Sequence, residues 1–300
     1  MNAKWTTGAL MRRRINALDP VRDDEQITRL TSDVLYGDPF FVHSTFLVTF
    51  ARQAAVPAIA RVLYRSGNGD VIVDPRRRND DTIVFFTEFF RRGYRSEQGR
   101  AAIARMEQIH GNFLIDDDLK TYTLATVVFE PERLAEQFGC APFSEVEKQG
   151  RWNFWKGFAE AMPLTLPADT REGFLAWMED YERRTYAYTP DAAAIFDALV
   201  ADWRRWFPDW SGGAKAARES LIALCDDHLR ETLRLPQPSR SMAFRVQLTA
   251  KSYLRSTPIR PLRADRSVVK HFGRGHDDPH NLDEVGYQPK RYGTRDKTAV

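Results

Sequence analysis

Five side chains in two neighbouring segments have the types and spacing to bind a ligand or move a proton: Arg78, Asp81 and Thr82, then Met106 and His110. On a helix, Arg78, Asp81 or Thr82, Phe85 and Phe89 lie three and four residues apart and share one face, with polar groups one turn from an aromatic stripe. Two readings of that face are open. Arg78 and Asp81 form an i,i+3 surface pair beside an ordinary early-turn threonine, or the three are the polar end of an apolar pocket. Ile103, Met106 and His110 likewise fall on a common helix face, which turns His110 inward among apolar neighbours, with Gly111 as the stop behind it. An inward histidine is either a hydrogen-bonded core residue or a ligand, because burial alone requires only that its nitrogens be satisfied.

The elements that must position these residues are helices. Apolar residues recur at three- and four-residue spacing almost throughout the 300 residues, and alternating strand-like runs are scarce. The pattern predicts an all-α fold. Asp23-Asp24-Glu25 opens a first helix that ends around Tyr36 before Gly37-Asp38-Pro39. An apolar segment from Phe40 to about Tyr64 reads as a buried central helix, split near Pro57. Ser66-Gly67-Asn68-Gly69-Asp70 is a turn, and Val71-Ile72-Val73 reads as a short extended run before Pro75. Helices are expected over 79–91, 97–110 and 117–129. Another runs from Ser144, which forms a capping-box pattern with Glu147, to Met162. Further helices are expected from Asp169 or Thr170 towards Tyr188, then over 191–206, 214–233 and 241–254. The expected organisation is an N-terminal extension (1–22), a helical domain (23–256) and an irregular tail (257–300).

Composition narrows the function classes. The net charge of +3 is the balance of 44 basic and 41 acidic side chains, so no sequence-wide field argues for nucleic acid. Hydrophobic residues make up 43% and aromatic residues 12%, enough to line an apolar pocket as well as fill a core. Cys140 and Cys225 are the only cysteines, too few for a disulfide framework and without a spacing for zinc or covalent haem attachment. Met1–Pro20 lacks the apolar stretch of a signal peptide, and nothing approaches the roughly 18 uninterrupted apolar residues of a membrane span. The expectation is a cytoplasmic protein with at most a peripheral membrane contact. Arg12-Arg13-Arg14 and Arg76-Arg77-Arg78 are the densest basic clusters.

Read in order, Arg78-x-x-Asp81-Thr82, Arg105-Met106-Glu107-Gln108-Ile109-His110, Tyr122-Thr123-Leu124 leading to Phe129-Glu130-Pro131, Glu147, Phe154-Trp155-Lys156-Gly157, Met162 and Leu166-Pro167 resemble the MpaB and latex-clearing-protein family of oxygenases. The resemblance covers about Asp23 to Pro190 well, and the Leu235-Pro236 region more loosely. It implies a globin-like helical fold that binds non-covalent haem b and uses dioxygen to oxidise or cleave a hydrophobic, often isoprenoid-like small molecule. It further implies His110 as the proximal iron ligand, with Arg78 and Thr82 on the distal side. Neutral imidazole suits haem iron, and Met106 fits a dry, polarisable lining. Arg78 can pair with a propionate, Thr82 offers a hydroxyl to dioxygen, and Asp81 offers a carboxylate for proton relay.

Two departures from the rubber-cleaving members stand out: they carry a lysine where this chain has Asp81, and an upstream acidic residue where Ala60–Leu63 has none. Polyisoprene cleavage is therefore not expected. His43, among Phe40, Phe41 and Phe46, is either a reserve haem ligand or a satisfied buried histidine. His271, His276, Asp277, Asp278 and His280 form a potential metal cluster, but Gly273, Gly275 and Pro279 place it in an irregular tail, where it is expected to be solvated. Glu107-x-x-His110 is half of a di-iron motif, so a di-iron oxygenase is the alternative enzyme, and a haem- or lipid-binding protein without turnover is the alternative of another class.

Overall fold

The computed structural model describes residues 5–273 and 285–287. A short strand, β1 (Trp5–Thr7), leads into α1 (Gly8–Asn16), then α2 (Asp24–Arg29), which continues as a π-helical turn over Leu30–Leu35. The buried central pair follows as α3 (Pro39–Ala54) and α4 (Pro57–Tyr64), with a bend of 109° between them. Pro57 occupies the first turn of α4, where its missing N–H costs nothing, so it splits the apolar segment at the expected place. After α5 (Asp70–Val73) come α6 (Pro75–Arg92), α7 (Glu97–His110), α8 (Asp117–Gln137) and α9 (Glu145–Ala161). The chain continues through α10 (Arg171–Thr185), α11 (Pro190–Trp203), α12 (Gly213–Leu224), α13 (Asp227–Thr232) and α14 (Arg240–Ser256), then β2 (Pro261–Arg263) and α15 (Val269–Phe272). Among the described residues β1 and β2 are the only strands, so the fold is all-α.

Three elements differ from expectation, each for a local reason. Val71-Ile72-Val73 is not extended but the single turn α5, with Val71 fully packed in the core. α8 does not stop before Pro131; it runs on to Gln137, because Leu134 and Ala135 beyond the proline are buried and repay the lost backbone hydrogen bond. The expected helix over 214–233 divides at Cys225, where the Asp226 carboxylate accepts the Leu229 N–H at 2.8 Å and starts α13.

The capping box at α9 is formed in both directions. Ser144 Oγ accepts from the Glu147 N–H at 3.3 Å, and Glu147 accepts from the Ser144 N–H at 2.8 Å. α2 lies close against α9, and Gly150 permits it: a Cβ there would stand 2.6 Å from Ile27. Residues before Asp23 and after Ser256 meet each other, with β1 pairing antiparallel to β2 and Met11 and Ile15 packing beside Leu254 and Leu262.

Two large clusters make up the core. One joins α3, α11 and α12 around Phe50, Phe196 and Trp203. The other is aromatic, built from α6, α8, α9 and α10 around Phe89, Tyr122, Phe154 and Trp155. The principal cavity lies where α3, α4, α6, α7, α8 and α9 face one another.

Candidate functional site

The cavity has a volume of about 270 Å³ and draws its walls from α3 (Phe46, Phe50), α6 (Phe85, Phe86), α7 (Met106, His110) and α9 (Trp155, Phe158). All five residues singled out by spacing, Arg78, Asp81, Thr82, Met106 and His110, line it. Asp74 caps α6 and Pro75 opens it, which fixes where the Arg78 face begins. Ser96 caps α7 by accepting the Gly99 N–H at 2.9 Å, and Gly111 follows its last residue, so His110 ends the helix facing the cavity.

The polar end is arranged around Arg78. Its Nη1 donates to Thr82 Oγ1 at 2.9 Å, while the Thr82 hydroxyl donates to the Arg78 carbonyl at 2.9 Å. Its guanidinium lies 4.2 Å from the centroid of the Phe50 ring, a cation–π contact. No carboxylate forms a salt bridge with it among the described residues. Burial pushes its pKa down to about 10, which still leaves it charged at neutral pH. Asp70 and Asp81 on the same cavity wall offset part of this cost, and the rest of the guanidinium is left to an anionic group of a ligand.

Asp81 and Arg78 are not a surface pair. Asp81 is buried, its Oδ2 accepts the Gly286 N–H at 3.1 Å, and it lies 3.7 Å from Arg77 Nε. Gly286, with φ of +81°, brings the segment Val285–Tyr287 onto the cavity wall; a Cβ there would stand 2.7 Å from Ile109 and 3.1 Å from Phe85. Tyr287 packs edge-on against Phe113 at 5.1 Å, and Arg65 caps both rings. Thr82 also has a narrower role than its hydroxyl suggests: its proton is committed to the Arg78 carbonyl, so it orients Arg78 in place of donating to a ligand.

His110 is half-buried, and its Nδ1 lies 3.4 Å from Glu107 Oε1. Burial holds its pKa below the ordinary histidine value; Glu107 offsets part of this, and the Lys120 and Arg78 charges lower it further. The imidazole is therefore neutral at pH 7. Its Nε2 has no hydrogen-bond partner among the described residues. A neutral imidazole oriented through Nδ1, with Nε2 left open in an apolar chamber, is the donor a haem iron takes. Arg78, which forms no salt bridge among the described residues, matches a propionate in the same chamber. The residues present fit haem b.

Other candidates resolve differently. His43 is fully buried and satisfied at both nitrogens: Nδ1 accepts from Trp206 Nε1 at 2.7 Å, and Nε2 lies 2.9 Å from Asp202 Oδ2. The indole can only donate, so His43 carries its proton on Nε2 and gives it to Asp202. It has no lone pair left for iron. His271 stacks on Trp206 at 5.3 Å, while His276, Asp277, Asp278 and His280 lie outside the described residues. No group of three His, Cys, Asp or Glu side chains is placed to hold a metal ion among the described residues. A di-iron site needs several carboxylates and histidines on facing helices, whereas Glu107 and His110 stand as a pair; haem needs one axial side chain.

Spacing missed Lys120, Gln53 and Arg65, which also line the cavity. Lys120 shares an α8 face with Thr123, Leu124 and Val127, so a lone cation on an apolar stripe was the available signal. Gln53 donates to Thr126 at 2.9 Å, a pairing across 73 residues that no local pattern marks. Tyr122 stays out of the cavity, bonded to Tyr186 at 2.6 Å and Glu182 at 3.2 Å. A second cavity of about 120 Å³ shares Phe46, Phe86 and Trp155 with the first.

Among curated proteins, the chain is 23% identical over 236 residues to ER-bound oxygenase mpaB' of Penicillium brevicompactum, covering 72% of this chain and 55% of the relative. It is 24% identical over 181 residues to ER-bound oxygenase mpaB of the same organism, covering 54% of this chain and 46% of that one. The chain thus spans about half the length of the curated relatives it matches. A family model described as the ER-bound oxygenase mpaB/B'/rubber oxygenase catalytic domain matches residues 35–253, a stretch that contains the whole Arg78 to His110 constellation. The chain belongs to the mpaB and rubber oxygenase family, a family of oxidoreductases, through its catalytic domain.

Proposed function

We propose that this protein is a haem b-dependent oxygenase that oxidises or cleaves an apolar small molecule with dioxygen, with His110 as the iron ligand. The observation that carries the reading is the pairing of a neutral His110, open at Nε2, with a half-buried Arg78 that forms no salt bridge among the described residues, in one largely apolar cavity. Haem b, when bound, supplies the activation of dioxygen. Glu107 holds the His110 ring through Nδ1 and keeps the Nε2 lone pair for the iron. Arg78, oriented by Thr82 and Phe50, would hold an anionic group of the cofactor such as a propionate. Asp81, fixed by the Gly286 amide, is a carboxylate at this end, beside Asp70, placed to hold or release a proton. Phe46, Phe85, Phe86 and Trp155 exclude water and favour an apolar substrate.

The test is an absorption spectrum of the purified protein with metal analysis, followed by dioxygen uptake with a panel of apolar alkenes. A Soret band, one iron per haem and substrate-dependent uptake are expected. A colourless protein rich in iron would instead favour the di-iron reading, and haem with no uptake on any substrate a binding protein.

A further inference from the structure

α14 has an unusual outward face. Its 17 residues contain no carboxylate and four cations, Arg240, Arg245, Lys251 and Arg255. Val246 and Ala250 pack on the α3/α11/α12 core, and Tyr253 and Leu254 on the cluster around Met11 and Ile15, which settles the side that faces inward. At about 100° per residue, Arg240, Lys251, Phe244, Arg255 and Leu248 then fall within an arc of about 80° on the opposite side. Phe244 and Leu248 are 64% and 54% exposed. None of the four cations forms a salt bridge with a carboxylate among the described residues. Elsewhere some surface arginines are paired, as Arg183 and Arg184 are with Asp180, Arg218 with Asp197 and Arg263 with Asp265, while others such as Arg13, Arg14, Arg61 and Arg234 are not among the described residues; α14 differs in having no carboxylate of its own beside its cations. Directly after α14, Ile259 is 80% exposed.

We propose that this face is a membrane-docking surface for bilayers that carry anionic phospholipid. Two large apolar side chains set one turn apart and flanked by unpaired cations match the headgroup boundary, where the apolar groups enter the acyl region and the cations meet lipid phosphates. The face is a single convex helix side, too narrow an apolar patch for a stable protein interface. Phe244 is the only aromatic ring in it, and Leu248 and Ile259 gain nothing from nucleobases, so a bilayer fits better than a nucleic acid. No single helix among the described residues is long and apolar enough to cross a membrane, and the contact proposed at α14 is a peripheral one.

The test is co-sedimentation of the full chain with phosphatidylcholine vesicles, with and without phosphatidylserine. Binding is expected only to the anionic vesicles and should weaken with salt. Replacing Arg240, Lys251 and Arg255 together by Gln should weaken it by on the order of 100-fold, about fivefold per cation. Phe244→Ser with Leu248→Ser should weaken it by roughly tenfold or more. Both variants should keep the wild-type melting temperature to within a few degrees, because Arg240, Phe244, Leu248 and Arg255 are exposed and Lys251 is only half-buried with no salt bridge among the described residues. Equal binding to neutral and anionic vesicles, or binding to neither, would overturn the proposal. So would binding of RNA but not vesicles, which would make the face a nucleic-acid surface, or a dimer abolished by the Phe244 and Leu248 changes without vesicle binding. None of these outcomes bears on the haem reading, which the absorption spectrum tests separately.

Discussion

Arg78 and Thr82 exchange two hydrogen bonds one helical turn apart, each 2.9 Å long: guanidinium to hydroxyl, and hydroxyl back to the Arg78 carbonyl. The exchange locks a half-buried cation into one orientation at the polar end of the cavity. Thr82→Val removes both bonds while conserving volume, and a net hydrogen bond is worth about 1 kcal/mol. Dioxygen uptake is therefore expected to fall by roughly 5- to 10-fold at unchanged haem content, and Thr82→Ser should recover most of it. Equal losses for Ser and Val would show that Thr82 acts by packing alone.

His43 ties α3 to α11 and to Trp206. Its folded pKa lies below the unfolded value of about 6.5 because burial disfavours the imidazolium. The unfolded chain therefore binds the proton first, and the stability contributed by neutral His43 is complete above about pH 6.5 and lost as pH falls towards the folded pKa. His43→Phe leaves Asp202 and the Trp206 N–H each short of a partner, a cost of roughly 2–5 kcal/mol at pH 8. Denaturant melts across pH should show that gap narrowing below pH 6.5. A gap that widens in acid would contradict the tautomer assigned here.

Behind the cavity, Arg52 is fully buried between Glu130 and Asp226, with Glu182 4.0 Å away and itself held by Arg133. Arg52→Ala strands buried carboxylates and should cost about 3–5 kcal/mol. Arg52→Met with Glu130→Gln, which removes the charge from both, should recover part of it. Chemical denaturation of the three proteins reads this directly, and a single variant as stable as wild type would contradict it.

Gly286 seats the 285–287 segment on Asp81. With φ at +81° and Ile109 2.7 Å from a would-be Cβ, Gly286→Val should cost the segment at least about 1–2 kcal/mol of local stability. Limited proteolysis around Tyr287 should accelerate by roughly tenfold, with little change in global melting. Asp81→Asn can still accept the amide and should be milder.

The helical scaffold was legible wherever local chemistry decides an element. Ser96 and Gly111 bracket α7 at its expected ends, and Ser144 with Glu147 announces α9. Local rules failed where burial outweighed them, as when α8 continues through Pro131, or where a cap sat inside an apolar run, as at Asp226. In the site, the shared face of Met106 and His110 followed from periodicity, and their meeting with Arg78 followed from the family resemblance. The Gly286 to Asp81 contact spans 205 residues and leaves no local trace, and the commitment of the Thr82 proton is a matter of geometry that spacing does not encode.

The central claim is that His110 ligates haem iron, and the most direct measurement is haem titration of His110→Ala beside wild type, read by the Soret band with circular dichroism as the check on folding. The account predicts a folded variant whose Soret band is lost or shifted and restored towards wild type by added imidazole, which can occupy the space the side chain leaves. A folded His110→Ala protein with an unaltered Soret band and full haem content would contradict it.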